Sequence, residues 1–168
     1  METIITEQQI RQRVKELANE LHDDYISSGN AEPPVFICIL NGSFHFFTDI
    51  MKHFTTDCEI DFIRLKSYEG QDNSGGIKCL KDIELDLTGK RVYIVDDICD
   101  TGTTILESLF MVNSKNAESA RVVTLLQRKD GVKLADFCGF EIGEEWVVGY
   151  GLDDNGLKRN LMDIYNIK

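Results

Sequence analysis

The apolar residues that follow position 9 recur at steps of three and four, which is typical of an amphipathic helix. Thr6 and Gln9 precede them with the spacing of a capping box, so the helix is predicted to begin near Thr6. The proline pair at positions 33 and 34 ends any helix before the next apolar run. The apolar stripe of this first helix consists of Ile10, Val14, Leu17, Leu21 and Tyr25.

Four later segments have strand-like patterns. Residues 35–40 form a continuous apolar run, as strands buried on both faces do, and 91–96 and 121–126 are further apolar, strand-like segments. Residues 60–65 alternate apolar and polar side chains. Because helical patterns separate these segments, we expect an α/β fold with a doubly wound, mostly parallel sheet flanked by helices.

The segments between and after these strands are less uniform. Helical spacing predicts helices at 44–54 and from about 104 to 114. Residues 66–76 contain three glycines and are expected to form a mobile loop. The next segment, 77–85, is ambiguous, with a returning strand as one interpretation. A last strand is expected within 140–148, followed by a polar tail from residue 150.

Composition and charge narrow the classes of function. The chain has 168 residues, of which 42% are hydrophobic and 28% charged, as in an ordinary globular domain. Its net charge of −11 argues against nucleic acid or an anionic membrane as a partner. No apolar run approaches the ~20 residues of a membrane span, and the first residues lack a basic signal-peptide region. Five cysteines without a Cys-x-x-Cys pair favour a reduced, cytoplasmic protein.

The segment 91–105 carries the strongest chemical signal in the chain. Its apolar strand delivers Asp96 and Asp97 to the strand end, and Asp100 and the turn 101–104 follow before the next helix. A tight turn at a helix N-terminus binds anions through free backbone N–H groups. Carboxylates add acceptors for sugar hydroxyls and for hydrated Mg²⁺. A simple helix cap would explain one carboxylate but not three, so we expect a site for a sugar phosphate with a metal.

Residues 92–104 resemble the ribose-phosphate-binding signature of the type I phosphoribosyltransferases. This signature alone also occurs in diphosphate synthases. Three further segments resemble the members that act on 6-oxopurines, and together the four are specific. The resemblance extends from about residue 36 to residue 161. The further segments are 40–43, 61–68, and 146–153 together with 159–161.

The resemblance implies roles for the residues of the phosphate side. It places the diphosphate of phosphoribosyl diphosphate (PRPP) at 40–42, where family members can hold a cis peptide, although an ordinary Asn-Gly turn remains the alternative. Asp96, where relatives often have Glu, and Asp97 would bind the ribose diol, directly or through Mg²⁺. Asp100 would assist proton transfer at N7 of the base. The expected PRPP-binding residues are Leu40, Asn41, Gly42, Asp96, Asp97, Thr101, Gly102, Thr103, Thr104 and Arg159.

The resemblance also implies a lid and a base pocket. Ser67 and Tyr68 would close over the diphosphate and exclude water from the reaction. Trp146 would stack on the purine, and Val147 would offer backbone groups to its edge. Asp153 would approach the base and a second Mg²⁺. The expected metal ligands are therefore Asp96, Asp97 and Asp153.

One position departs from the family pattern. Relatives usually place a lysine after the strand at 121–126, and this chain has Arg128 there, with Lys129 next to it. Either side chain donates to a carbonyl oxygen and neither accepts, so a 6-oxopurine fits and adenine fits poorly. The wider fork of arginine leaves open how the site ranks hypoxanthine, guanine and xanthine.

The resemblance implies an activity: 6-oxopurine and PRPP give the nucleoside 5′-monophosphate and diphosphate, with Mg²⁺ as cofactor. It implies one domain over residues 1–168, with a core of about 35–130 and a hood from the N-terminal segment and about 131–168. It also implies a homodimer or homotetramer. Two alternatives stay open, a transferase that prefers xanthine and guanine, and a non-catalytic relative that senses PRPP or nucleotides.

Overall fold

The computed structural model describes residues 1–68 and 76–168. Its helices are α1 (Glu7–Ser28), α2 (Phe44–His53) and α3 (Thr103–Asn113). Its strands are β1 (Glu2–Ile5), β2 (Val35–Leu40), β3 (Glu59–Tyr68), β4 (Gly76–Lys81), β5 (Arg91–Cys99), β6 (Ser119–Arg128), β7 (Phe137–Ile142), β8 (Val147–Val148) and β9 (Ile164–Asn166).

The strands form two sheets. The large sheet has the order β4-β3-β2-β5-β6-β7, and all its neighbours are parallel except β4, which runs antiparallel to β3. The small sheet has the order β1-β9-β8 and is antiparallel. The predicted fold, a mostly parallel sheet flanked by helices with a small hood from the N- and C-terminal segments, is confirmed.

The central strands are apolar on both faces because helices cover both faces. Phe36 and Cys38 of β2 pack in one cluster with residues of α1 and α2. Ile37 of the same strand packs on the opposite face with Val112 of α3. This burial on both sides explains the continuous apolar runs of β2 and β5.

Helix α1 begins where its capping residues predict. The backbone N–H of Thr6 donates to Gln9 Oε1 over 2.8 Å, and the backbone N–H of Gln9 donates to Thr6 Oγ1 over 3.3 Å. Gly29, with φ of +67°, ends the helix in the left-handed conformation that favours glycine. Across 1–68 and 76–168, no helix combines the length and apolar character that a bilayer crossing needs.

Both ends of the loop expected at 66–76 belong to strands in the structure. Strand β3 continues to Tyr68 and β4 begins at Gly76, so both ends of that segment belong to a hairpin. The middle of the predicted loop, 69–75, lies outside the described residues. The returning strand considered for 77–85 is confirmed as β4, whose Ile77 is the register partner of Ser67.

The segment 140–148 contains strand residues as expected, but they belong to two strands of different sheets, and neither is the last strand of the chain. Strand β7 ends at Ile142 and extends the large sheet, whereas β8 belongs to the small one. The hood therefore begins after β7 and not near residue 131. Strand β9 lies in the expected polar tail, and β1 had no predicted counterpart.

Candidate active site

Strand β5, a central strand of the large sheet, brings the two adjacent carboxylates to the carboxyl ends of the parallel strands. It extends to Cys99, past the predicted end at residue 96, so both carboxylates lie within the strand. Asp96 is only 6% exposed. Its Oδ1 accepts from the backbone N–H of Asp97 over 3.0 Å, and Asp97 Oδ1 accepts from Ile98 over 2.8 Å. Each carboxylate is thus held by the next peptide of its own strand.

The expected diphosphate loop lies directly against this pair. The Leu40–Asn41 peptide is cis. A Cβ atom placed on Gly42 would overlap Oδ2 of Asp97. A Cβ atom on Gly151, whose φ is +103°, would overlap the carbonyl oxygen of Gly42. Three chain segments therefore meet at a point where two positions have room only for glycine.

Burial and like charge raise the pKa values of the carboxylates. Burial, followed by the neighbouring charge of Asp97, raises the pKa of Asp96 well above its usual range. Burial also raises the pKa of Asp97, although the charge of Arg159 is among the influences that lower it. A cation would relieve both effects, because it favours the ionised form of each carboxyl group.

The donor set suits a magnesium ion that keeps ligands from water or substrate. None of the described salt bridges includes Asp96 or Asp97, and the backbone hydrogen bonds given above involve only the Oδ1 atom of each carboxylate, so both side chains retain capacity to bind a cation. Within the described ranges, no three His, Cys, Asp or Glu side chains converge as a metal cage. Mg²⁺ commonly binds through one or two carboxylates and completes its shell with phosphate oxygens and water. Asp96 and Asp97 fit that mode.

The turn after β5 forms the other wall of the same pocket. Gly102 has φ of +79° and precedes α3, whose first residue is Thr103. The hydroxyl oxygens of Thr101 and Thr103 lie 3.1 Å apart. The Asp100 side chain is 62% exposed. The pocket has a volume of about 270 Å³ and is lined by Ile39, Leu40, Gly42, Leu65, Asp96, Asp97, Ile98, Asp100, Thr101, Gly102, Thr103, Thr104 and Ile105.

The expected base-stacking residue lies in the connection between the two sheets. Trp146 is 51% exposed, and the Nζ atom of Lys168 lies 5.8 Å from the centre of its ring. The carbonyl oxygen of Trp146 accepts from the backbone N–H of Ile167 over 3.0 Å. Val147 follows in β8, is buried and pairs with Asn166. The indole is therefore accessible while its backbone is held by the small sheet.

Asp153 and Arg159 pair with each other. Nη2 of Arg159 lies 2.7 Å from Oδ1 of Asp153, and Nη1 donates to the carbonyl oxygen of Gly151 over 2.6 Å. Oδ2 of Asp153 accepts from the backbone N–H of Gly156 over 2.6 Å. This arrangement brings Arg159 to the junction with the expected diphosphate loop. Asp153 does not join Asp96 and Asp97, so the expectation that the three share in metal binding stays a prediction.

Ser67, one of the two expected lid residues, lies next to the carboxylate pocket but is not among the residues that line it. Ser67 is exposed near the end of β3 and lines a neighbouring pocket of about 620 Å³ with Thr103 of α3. Tyr68 is the last residue of β3. The roles expected for this pair stay predictions.

Sequence reasoning missed Tyr150. Its φ is +49°, which is rare for a residue with a side chain. Its hydroxyl donates to Oδ2 of Asp49 on α2 over 2.6 Å, and its ring stacks on His45 at 5.6 Å. A signal was present, because glycines precede and follow Tyr150 and indicate an unusual backbone.

Comparison with known proteins agrees with this geometry. The family model described as "Phosphoribosyl transferase domain" matches residues 1–155. A hypoxanthine-guanine phosphoribosyltransferase of Aquifex aeolicus is 36% identical over 172 residues, covering 100% of this chain and 95% of the relative. The hypoxanthine-guanine phosphoribosyltransferase of Bacillus subtilis is 37% identical, covering 94% and 88%.

Solved structures give the same result. A hypoxanthine phosphoribosyltransferase from Staphylococcus aureus superposes with a TM-score of 0.90 at 35% identity, covering 100% of this chain and 91% of that one. One from Trypanosoma cruzi superposes with a TM-score of 0.92 at 34% identity, again covering 100% and 91%. The resemblance inferred from the motifs is thereby confirmed: the chain belongs to the phosphoribosyltransferase family and is similar over its length to the hypoxanthine-guanine members.

Proposed function

We propose that this protein is a purine-salvage enzyme that transfers the 5-phosphoribosyl group of PRPP to hypoxanthine or guanine, giving the nucleoside 5′-monophosphate and diphosphate. The observation that carries the proposal is the adjacent pair of buried Asp96 and partly buried Asp97, which faces the turn 101–104 and the Gly42 loop in one pocket. A metal-bearing sugar phosphate needs that combination of carboxylates and free N–H groups. The similarity to hypoxanthine-guanine phosphoribosyltransferases supports the choice of base.

The residues have distinct tasks in this reaction. Asp96 and Asp97 hold the ribose hydroxyls and Mg²⁺, which when bound neutralises the leaving diphosphate. The N–H groups of the turn 101–104 bind the 5′-phosphate at the start of α3. The C1–O bond breaks with its electron pair on the diphosphate, a purine nitrogen bonds to C1, and the purine releases a proton. Trp146 positions the base, and Arg159 meets the diphosphate beside Gly42.

We propose that Asp100 assists proton transfer at the purine base during the reaction. It lies in the same pocket as Asp96 and is mostly exposed, so a ligand above the turn can reach it. We expect Asp100→Asn to lower kcat by about 10²-fold while the KM for PRPP changes little, because general base catalysis is worth about that much. Asp23→Asn is the matched control, since Asp23 is 84% exposed on α1. Steady-state kinetics that find an unchanged kcat would remove Asp100 from this role.

The identity of the base is tested by supplying PRPP and Mg²⁺ with each of hypoxanthine, guanine, xanthine and adenine. Turnover with hypoxanthine and guanine and little with adenine is expected, because Arg128 offers donors and no acceptor to the 6-position. A relative from Tritrichomonas foetus, 35% identical, is a hypoxanthine-guanine-xanthine phosphoribosyltransferase, so substantial xanthine turnover is the second candidate. No turnover with any base would favour a non-catalytic sensor of PRPP.

We also propose that the protein binds Mg²⁺, assembles as a homodimer or homotetramer, and works in the cytoplasm as a single domain. The donor chemistry of Asp96 and Asp97 supports the metal. All five cysteines, each within the described residues, are free thiols, which supports a reducing compartment. Magnesium titration of the activity and sedimentation analysis of the purified protein test the first two statements.

A further inference from the structure

Arg128 lies between Asp100 and the segment that carries Trp146. It is the last residue of β6, and its side chain is 18% exposed. Its Nη1 atom donates to the carbonyl oxygen of Gly143 over 2.6 Å and to that of Glu145 over 2.8 Å. The guanidinium of a large-sheet residue therefore holds the segment 143–146, which leads into the small sheet.

That segment has few other attachments. It connects β7 of the large sheet with β8 of the small sheet and contains no strand of its own. At its end next to the small sheet, the carbonyl oxygen of Trp146 accepts from the backbone N–H of Ile167. Next to the large sheet, the carbonyl oxygens of Gly143 and Glu145 accept from Arg128. Partly buried carbonyl groups need such partners, so Arg128 replaces the strand pairing that this segment lacks.

The same guanidinium faces Asp100. Its Nε atom lies 3.8 Å from Oδ1 of Asp100. A Cβ atom on Gly131 would lie 2.8 Å from Arg128 Cβ and 3.2 Å from the Asp100 carbonyl oxygen, so the turn after β6 packs closely on both residues. Among the described residues, Nη2 of Arg128 has no hydrogen-bond partner. The three nitrogen atoms of this rigid guanidinium therefore have different surroundings: Nη1 binds the segment 143–146, Nε faces Asp100, and Nη2 is available for another partner.

We propose that Arg128 is a positioning residue that fixes the Trp146 segment relative to Asp100, in addition to any contact it makes with the base. A lysine ammonium bound to both carbonyls would have no second nitrogen to face Asp100 or the base. The arginine separates these tasks, because Nη1 holds the segment and Nη2 stays available. The proposal rests on the proposed function for its catalytic consequence, but the positioning itself concerns the protein without ligands.

The first test is the fluorescence of Trp146, the chain's single tryptophan, in the protein without substrates. Arg128→Met removes the partners of both carbonyls, so acrylamide quenching of Trp146 should rise at least about twofold as the segment opens locally. Arg128→Lys should restore part of the protection. Arg121→Met and Arg121→Lys are matched controls on the same strand, because Arg121 pairs with Asp136. Quenching in Arg128→Met that equals the parent would overturn the proposal.

The second test separates positioning from general loss of structure. Circular dichroism melts establish that each variant folds. For Arg128→Lys, the KM for the base should rise about tenfold, because hydrogen bonds to a charged group are lost. The KM for PRPP should stay within about twofold of the parent value. A raised base KM with parental quenching would mean that Arg128 only contacts the base, and would overturn the positioning role. If the parent turns over no base, the proposed function fails, while the quenching comparison still decides the role of Arg128.

Discussion

The phosphate half and the base half of this site are assembled in different ways. The phosphate half comes mainly from one continuous stretch, residues 96–104, at the end of β5 and the start of α3. The base half combines Arg128 of β6 with Trp146, which lies in the connection between the two sheets, and Asp153, which lies in the loop between β8 and β9. A local stretch can bind a phosphate wherever a strand meets a helix, whereas a base pocket needs the whole fold.

The two halves also differ in their electrostatics. Asp96 and Asp97 are adjacent and have no salt-bridge partner in the described residues, and the loss of solvation raises the pKa of both, so their negative charges oppose folding until a cation binds. In the base half, Asp153 is paired with Arg159, and Arg128 is bound to carbonyl groups. The phosphate half is therefore expected to gain stability from its ligands, whereas the charged groups of the base half already have partners within the protein.

The largest effect is expected where the halves touch. In Gly151→Ala, the new methyl group would overlap the Gly42 carbonyl oxygen, and φ of +103° is unfavourable for alanine. We expect a loss of stability above about 3 kcal/mol and loss of both PRPP and base binding. The control is Gly156→Ala, at φ of +83° with no atom within 4 Å of its Cβ, which should cost about 1 kcal/mol. Equal losses in urea unfolding would show that the contact with Gly42 is unimportant.

A smaller effect with opposite signs for activity and stability is expected in the phosphate half. Asp96→Asn should lower kcat by about 10²-fold, because a metal and ribose ligand is lost. It should also raise the free energy of unfolding by about 1 kcal/mol or more at pH 7 without magnesium, because it removes a buried charge beside Asp97.

The pH dependence of this stabilisation has a definite sign. Since the folded-state pKa of Asp96 is raised, the folded protein binds the proton more tightly, and the parent loses stability as the pH rises from the unfolded pKa of about 4 through the folded one. The advantage of Asp96→Asn should therefore grow between pH 4 and pH 8. Urea unfolding in the presence of a chelator measures it. An advantage that shrinks with rising pH would contradict the assigned burial cost.

The smallest effect is expected at Tyr150, whose hydroxyl attaches the segment after β8 to Asp49 of α2. Tyr150→Phe removes the hydrogen bond to Asp49 and should cost about 1 kcal/mol, or about 3 °C in Tm. Burial opposes ionisation of Asp49, but bonds from Lys52 and Tyr150 lower its pKa overall. The cost should therefore be present at pH 7 and fade as the pH falls below about 4.

The control for this variant is Tyr165→Phe. The Tyr165 hydroxyl bonds Asp163 over 3.2 Å near the surface, where such pairs add little stability. Thermal melts at pH 7 and pH 3.5 give both comparisons. A Tyr165→Phe loss as large as that of Tyr150→Phe would show that Tyr150 has no special anchoring role.

The difference between the halves explains what could be predicted from the sequence. The capping box at Thr6, the strand at 35–40 and the order of carboxylates before α3 are local patterns, and the structure has all three. Strands β8 and β9 have two and three residues, so no periodicity could identify them. The contacts of Arg128 and Tyr150 join segments whose approach depends on tertiary folding. Pattern alone could therefore not foresee them.

The pairing of β1 with β9 has a consequence for how the protein is made. Glu2 of β1 pairs with Asn166 of β9, so the centre of the small sheet is missing until almost the last of these 168 residues have been synthesised. All strands of the large sheet precede β8 in the chain, so they can pair earlier, since domains begin to fold from the N-terminus during translation. On the ribosome, a nascent chain should therefore acquire its phosphate-binding surface before the sheet that supports Trp146 exists.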